Sequence, residues 1–229
     1  MKFLKSTSLA ILSLIIIGLL ACQVDFSMNK KYRGEGSVIN QTMELSKVSG
    51  VELVGSTNVF ISYGEKQKVS VKGHGNIIDR LEVKVKRGVA HISLKDGSYN
   101  DYELNVHIIL PYLETVNITG SGDIMVSDFE NIEELEAAII GSGEVEVKNC
   151  KIENLEVEII GSGDFTSKKS IAKNADIEIV GSGDAVVYVT KNLKASISGS
   201  GDIEYIGDPK VESDVSGSGE VSKKRKIRG

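Results

Sequence analysis

The sequence runs to 229 residues, 41% hydrophobic and 26% charged, enough for one folded domain and a small addition. Twenty-four glycines against two prolines fit a chain of many tight turns, not a disordered linker. A formal charge of −5 at pH 7 argues against nucleic acid as a partner.

Lys2 and Lys5 precede an apolar run, Leu9 to Leu20, broken only by Ser13 and Gly18. A membrane-spanning helix needs about 20 apolar residues, so the run reads as the core of a signal peptide, residues 1–21. It ends in Leu19-Leu20-Ala21-Cys22. That resembles the bacterial lipobox, in which a small residue precedes a cysteine that receives diacylglycerol and becomes the new N-terminus. On this reading Cys22 is the lipidation site and the membrane is a partner through the acyl chains. Each buried CH₂ contributes about 0.8 kcal/mol to such an anchor. Removing residues 1–21 takes away two lysines and brings the formal charge to −7. One cysteine besides Cys22 remains, Cys150, so no internal disulfide is expected. Residues 22–42 are polar and mixed and read as a tether. Glutamine at position 23, where aspartate would signal inner-membrane retention, points to an outer-membrane lipoprotein on the periplasmic face or the cell surface.

From Val48 to Leu110 short alternating segments predict strands: 51–54, 59–62, 69–72, 81–86, 89–95 and 102–110. Arg87-Gly88 and Asp96-Gly97 mark turns between some of them. From about residue 113 a repeat takes over. Gly-Ser-Gly-Asp/Glu begins at Gly120, Gly141, Gly161, Gly181, Gly199 and Gly217, at intervals of 18 to 21 residues. The flanks repeat as well. Leu135, Ala137 and Ile139 recur as Leu155, Val157 and Ile159, then as Ala175, Ile177 and Ile179, with glutamates between them. Period-two alternation is the signature of strands with one buried face. Each unit therefore reads as strand, glycine bend, strand and polar turn, with Asn154, Asn174 and Asn192 at the turn. Stacked in register, such units form an all-β solenoid in which every strand pairs with its equivalent in the next coil. The corner glycines are Gly120 and Gly122, Gly141 and Gly143, Gly161 and Gly163, Gly181 and Gly183, Gly199 and Gly201, Gly217 and Gly219. They suit a bend with no room for Cβ. Val54-Gly55-Ser56-Thr57-Asn58-Val59 looks like a worn copy of the motif, and Gly73-His74-Gly75-Asn76 like another. The body spans residues 43–222, and residues 223–229 form a basic tail whose charges blunt the open end of the sheet.

The order of these pieces resembles a known family. Val51-Glu52-Leu53-Val54 precedes Asn58-Val59-Phe60-Ile61, followed by Val69-Ser70-Val71, Leu81-Glu82-Val83-Lys84-Val85 and Gly88-Val89-Ala90-His91-Ile92. Then come Val106-His107-Ile108-Ile109-Leu110-Pro111 and the repeated Gly-Ser-Gly-Asp. Together they are similar to the bacterial "putative auto-transporter adhesin, head GIN domain" family of Bacteroidetes-type lipoproteins, over roughly residues 43–222. The resemblance implies a right-handed single-stranded parallel β-helix with an irregular N-terminal part. It brings no catalytic residues with it.

Chemistry is concentrated in one row. Asp123, Glu144, Asp164, Asp184, Asp202 and Glu220 occupy one position in successive coils, beside Ser121, Ser142, Ser162, Ser182, Ser200 and Ser218. In register, neighbouring carboxylates would lie about 5 Å apart, near the separation that retaining glycosidases use. Catalysis needs two carboxylates in unlike environments, and a uniform row does not supply them. An oxygen-rich row suits a hard cation such as calcium, but aspartate follows glycine directly here, a poor match to the calcium nonapeptide. The carboxylates are expected to cap backbone amides at their corners, with serine bonding the adjacent coil and calcium a weaker alternative. His74, His91 and His107 all precede the row, and no Ser-His-Asp set is evident. Aromatic residues make up 5%, and no stacking platform for sugars stands out. The expectation is a non-enzymatic envelope protein that presents a rigid β-helix to an unknown protein or glycan. The alternative is a polysaccharide-binding or polysaccharide-cleaving protein of pectinase-like shape.

Overall fold

The computed structural model describes residues 30–224. The expectations for the signal peptide, for Cys22 and for the tail beyond Lys224 lie outside the described residues. The chain opens with β1 (Lys31–Arg33), β2 (Val38–Met43), β3 (Gly50–Gly55), β4 (Asn58–Tyr63) and β5 (Lys68–His74). A four-residue helix, α1 (Gly75–Ile78), leads to β6 (Leu81–Lys86), β7 (Val89–Leu94), β8 (Ser98–Asn100) and β9 (Leu104–Leu110). The coils follow as β10 (Thr115–Gly120), β11 (Asp123–Ser127), β12 (Ile132–Gly141), β13 (Glu144–Gly161), β14 (Asp164–Gly181) and β15 (Ala185–Gly199). The chain closes with β16 (Ile203–Ile206), β17 (Lys210–Gly217) and β18 (Val221–Lys223). The fold is a β-solenoid with an irregular N-terminal end.

Copying between units explains the stack. Because each unit has the same spacing of apolar residues, like falls on like. One inward column runs Leu53, Ile118, Ile139, Ile159, Ile179, Ile197 and Val215, each the register partner of the next. A second runs Val59, Ile124, Val145, Phe165, Ala185, Ile203 and Val221. All but the last member of each column are buried. Fully burying a residue of this size contributes about 1.5–3 kcal/mol, so the columns are the main source of stability.

The structure corrects several of the sequence expectations. The polar turn of each coil is a paired third side: β13 and β14 run through it unbroken, and Ile132, Ile152, Ala172 and Val189 stack there as buried partners. Asn154, Asn174 and Asn192 sit within that pairing. Asn192 Nδ2 donates to Asn174 Oδ1 at 2.8 Å, and Asn174 Nδ2 to Asn154 Oδ1 at 3.1 Å. Regular stacking also begins well before residue 113, since Gly50–Gly55 pairs in register with Thr115–Gly120. Finally, part of the expected tether is strand. β1 pairs with β8 and β2 with β5, because the excursion from β5 to β9 leaves open edges that these segments cover.

That excursion makes the N-terminal end. After β4 the chain leaves the coil path, then returns to lay β7 parallel to β3 and β9 parallel to β4. β6 pairs antiparallel with β7, and β5 antiparallel with β9. Gly73-His74-Gly75-Asn76 is therefore no corner. Gly73 lies in β5, where a Cβ would sit 2.5 Å from the Glu103 carbonyl oxygen, and Gly75 starts α1. β1 is held by an aromatic clasp: the Arg80 guanidinium lies 3.7 Å over the Tyr32 ring, and Tyr32 stacks on Tyr99. Tyr99 packs edge-on against Tyr102, while Tyr112 is 56% exposed. At the other end Lys223 falls within β18, not in a separate tail.

Candidate functional site

The repeated corner is where the polar groups gather, and its two glycines act for different reasons. The first has positive φ in every copy, from 114° at Gly55 to 142° at Gly199, a region L side chains rarely adopt. A Cβ at Gly161 would also lie 2.5 Å from the Gly141 carbonyl oxygen. The second glycine has ordinary φ but faces the core. A Cβ at Gly163 would lie 2.6 Å from the Gly143 carbonyl oxygen and 2.5 Å from the Ile139 side chain. Without Cβ atoms successive corners nest. The Ser142, Ser162, Ser182 and Ser200 amides donate to the first-glycine carbonyl of the coil before, at 2.8–2.9 Å. It is the backbone of these serines that reaches the adjacent coil, and their hydroxyls point outward.

The acidic residues complete the corner. Oδ1 of Asp123 accepts the Glu144 amide at 3.2 Å, and Oδ1 of Asp164 the Asp184 amide at 3.0 Å. Asp184 accepts the Asp202 amide at 2.9 Å and Asp202 the Glu220 amide at 2.8 Å. Glu144 breaks the pattern: the Asp164 amide donates instead to the Gly143 carbonyl, at 3.0 Å. One extra methylene carries the glutamate carboxylate past the amide. Burial, followed by the Asp123, Glu146 and Asp164 carboxylates, pushes the Glu144 carboxyl up from its usual range, against the opposing pull of Lys148. No group of three or more His, Cys, Asp or Glu side chains among the described residues is arranged to hold a metal ion.

Two further features were not visible along the chain. Phe60 and His107 stack face to face with centroids 4.9 Å apart, brought together by the parallel register of β4 and β9 across 47 positions. Beside Phe60 a shallow hollow of about 160 Å³ is lined by Asn58, Asp123, Met125, Glu144 and Glu146. The second feature is an acidic sheet face. Glu136, Glu156 and Asp176 are successive register partners, as are Glu158 and Glu178. Burial first and neighbouring carboxylates second push both Glu156 and Glu158 up. The outward glutamates were legible as residues, but not their crowding.

Cys150 is a core residue. It is 2% exposed, and burial pushes its thiol up from the ordinary cysteine value. The buried Ser170 hydroxyl accepts the Cys150 amide and donates to the Val147 carbonyl, both at 3.0 Å. Thus Ser170 bridges a register irregularity between β13 and β14.

Solved structures share this architecture. A "putative adhesin" from Bacteroides fragilis is 18% identical with a TM-score of 0.71, covering 84% of this chain and 99% of that one. A "putative lipid binding protein" from Parabacteroides distasonis is 24% identical with a TM-score of 0.60, covering 86% and 100%. A "putative adhesin" from the same species is 21% identical with a TM-score of 0.58, covering 85% and 100%. These likenesses are of fold. No curated protein matches the chain. No helix among the described residues is long and apolar enough to cross a membrane. A family model does match residues 47–209, and with its worn and perfect corners in one stack the chain belongs to the family described as "Putative auto-transporter adhesin, head GIN domain".

Proposed function

We propose that the chain is a non-catalytic cell-envelope lipoprotein, anchored through Cys22, that displays its rigid solenoid as an adhesion or interaction module. The observation that carries the reading is the corner itself. Four aspartates of the row use the same oxygen in the same way, to cap the next amide, so the row is part of the scaffold. Membership of an adhesin-like family agrees with a non-enzymatic role. Expression of the full chain in a Gram-negative host with an alkyne-bearing fatty acid tests the anchor. The wild type takes the label and sediments with membranes; Cys22→Ala does neither. Unlabelled wild-type protein would refute the anchor. Surface adhesion is tested by protease shaving of intact cells and by attachment of those cells to matrix proteins and glycans.

A second reading rests on the hollow beside Phe60. Asp123 and Glu144 are neighbours in unlike settings, one capping an amide and the other lifted by burial. An aromatic ring lies next to them. That combination suits a saccharide held by stacking and by carboxylate hydrogen bonds. A glycan array with wild-type protein and with Phe60→Ala tests it: binding lost in the variant supports the hollow, and no binding by either removes this reading.

A further inference from the structure

The coils differ in length, and the difference falls at one bend. Gly161 to Gly181 spans 20 residues, and Gly181 to Gly199 spans 18. Each coil has three sides: the strand before the glycine corner, the strand after it, and the paired third side. Between the second and third sides β14 loses register against both neighbours, from Thr166 to Ala172 against β15 and from Glu146 to Lys151 against β13. Asn149 turns the chain there with a φ of 54°. Around this bend Lys151, Lys168, Lys169 and Lys191 are all exposed.

The bend costs the fold stability. Thr166 pairs with Glu146 and Val186, which lead into buried Val147 and Val187, yet Thr166 leads into Ser167. Ser167 is buried, and its hydroxyl, like that of Thr166, finds no hydrogen-bond partner among the described residues. Lys148 and Lys169 are register partners, a like-charge pairing that disfavours the sheet. Ile171, the register partner of Lys151, faces outward and is 43% exposed. Departures of this kind from good packing gather where a surface serves something besides the fold.

Charge decides what the bend can meet. Lys148 pairs with Glu146 at 2.7 Å, and Lys173 pairs with Glu153. Lys151, Lys168, Lys169 and Lys191 have no acidic partner among the described residues. Of the carboxylates at the same bend in flanking coils, Asp128 accepts Asn149 Nδ2 at 3.1 Å, and Asp208 pairs with Lys223. Glu130 and Glu133 stand in the coil below, outnumbered by the lysines of the next three coils. Residues 1–29 and 225–229 bring a single acidic side chain, Asp25. The negative excess of the chain lies elsewhere. In a three-sided coil this bend stands across the core from the first side, and that side carries Glu136, Glu156, Glu158 and Glu178. The solenoid is therefore polarised crosswise, with a positive ridge and a negative face behind it.

A convex ridge suits a flat partner better than a chain that needs a groove. Lysines around an outward isoleucine suit an anionic lipid surface, where ammonium groups meet headgroup phosphates and the apolar side chain enters the boundary. The acidic face then points away from like charge. We propose that the ridge of Lys151, Lys168, Lys169, Ile171 and Lys191 docks the side of the solenoid on an anionic bilayer. The rod then lies along the surface instead of standing out from it. The contact depends on neither an acyl anchor nor adhesion.

The test is co-sedimentation of the chain from residue 22 onward, which keeps every described residue, with Cys22→Ser so that no acyl chain contributes. The vesicles are phosphatidylcholine with and without phosphatidylglycerol at about 30%, enough to set up a negative surface potential. The expected result is binding to the anionic vesicles at about 50 mM NaCl, release at about 500 mM, and none to the neutral ones. Each lysine near an anionic surface tightens binding about fivefold, so Lys168→Glu with Lys169→Glu weakens it more than about twentyfold. Ile171→Ser weakens it about tenfold and leaves the salt dependence in place. Lys47→Glu with Lys86→Glu makes the same change in net charge at exposed positions of the N-terminal end and leaves binding nearly unchanged. Circular dichroism melts check that each variant is folded. Equal binding to neutral vesicles, no binding to either kind, or equal losses from the two double variants overturns the proposal. Retention on soluble polygalacturonate without vesicle binding overturns it too, and makes a polysaccharide the occupant.

Discussion

Gly161→Ala and Gly55→Ala form a matched pair that separates the two costs of the corner. Both glycines have positive φ, 123° and 114°. A non-glycine residue held in such a region costs about 1–3 kcal/mol. Around Gly55 a new methyl group meets nothing within 4 Å, so that conformational cost is the whole effect. At Gly161 the methyl carbon would fall 2.5 Å from the Gly141 carbonyl oxygen, well inside an ordinary contact. The oxygen belongs to the backbone of a coil bonded on both sides and cannot swing away. Overpacking of this kind adds about 1–3 kcal/mol. Urea unfolding followed by circular dichroism should therefore place Gly161→Ala about 1–3 kcal/mol below Gly55→Ala, at unchanged m-value. Equal losses at the two positions would refute the nesting argument and leave backbone conformation as the sole reason for the first glycine.

Further expectations follow from single contacts. Asp184→Ala should cost about 1 kcal/mol through loss of its bond to the Asp202 amide, and Asp184→Asn less, since a carbonyl acceptor remains. Ser170→Ala, which strands the Cys150 amide and the Val147 carbonyl in a buried site, should cost about 1–3 kcal/mol. The buried Ser167 hydroxyl finds no hydrogen-bond partner among the described residues, so Ser167→Ala should be neutral or raise the melting temperature. Glu156 and Glu158 hold protons more tightly folded than unfolded. Their contribution therefore falls as pH rises from the unfolded carboxylate value, about 4.3, through the higher folded values. Glu156→Gln should flatten that decline and stabilise the protein at pH 7, as read by thermal melts across pH 4–8.

The regular coils could be read from the chain because each one states the same solution again. Leu135, Leu155 and Leu193 announce a shared column, and the glycine pair announces the bend between columns. The N-terminal end repeats nothing. β5 and β9 pair antiparallel across an excursion that holds a helix turn and three strands, and no local pattern encodes that choice. β2 is mostly exposed, so its side chains carry no strong alternation, and its backbone bonds to β5 define it instead. The Phe60–His107 stack had no local signal either, because it is made by register between distant strands. The acidic row was legible as a row, yet which oxygen caps which amide, and why Glu144 departs, depends on a single methylene.

The corner is also a splice point. Gly141 and Gly161 occupy the same place in adjacent coils, with the same backbone conformation and the same bond to the coil below. Removing residues 142–161 would join Gly141 to Ser162 and bring Asp164 above Asp123, with every column intact. Duplicating the segment would do the reverse. Length in this molecule is thus a separable variable, adjustable in steps of about 4.8 Å without altering either end. The number of coils can therefore change by whole units while both ends of the solenoid stay the same.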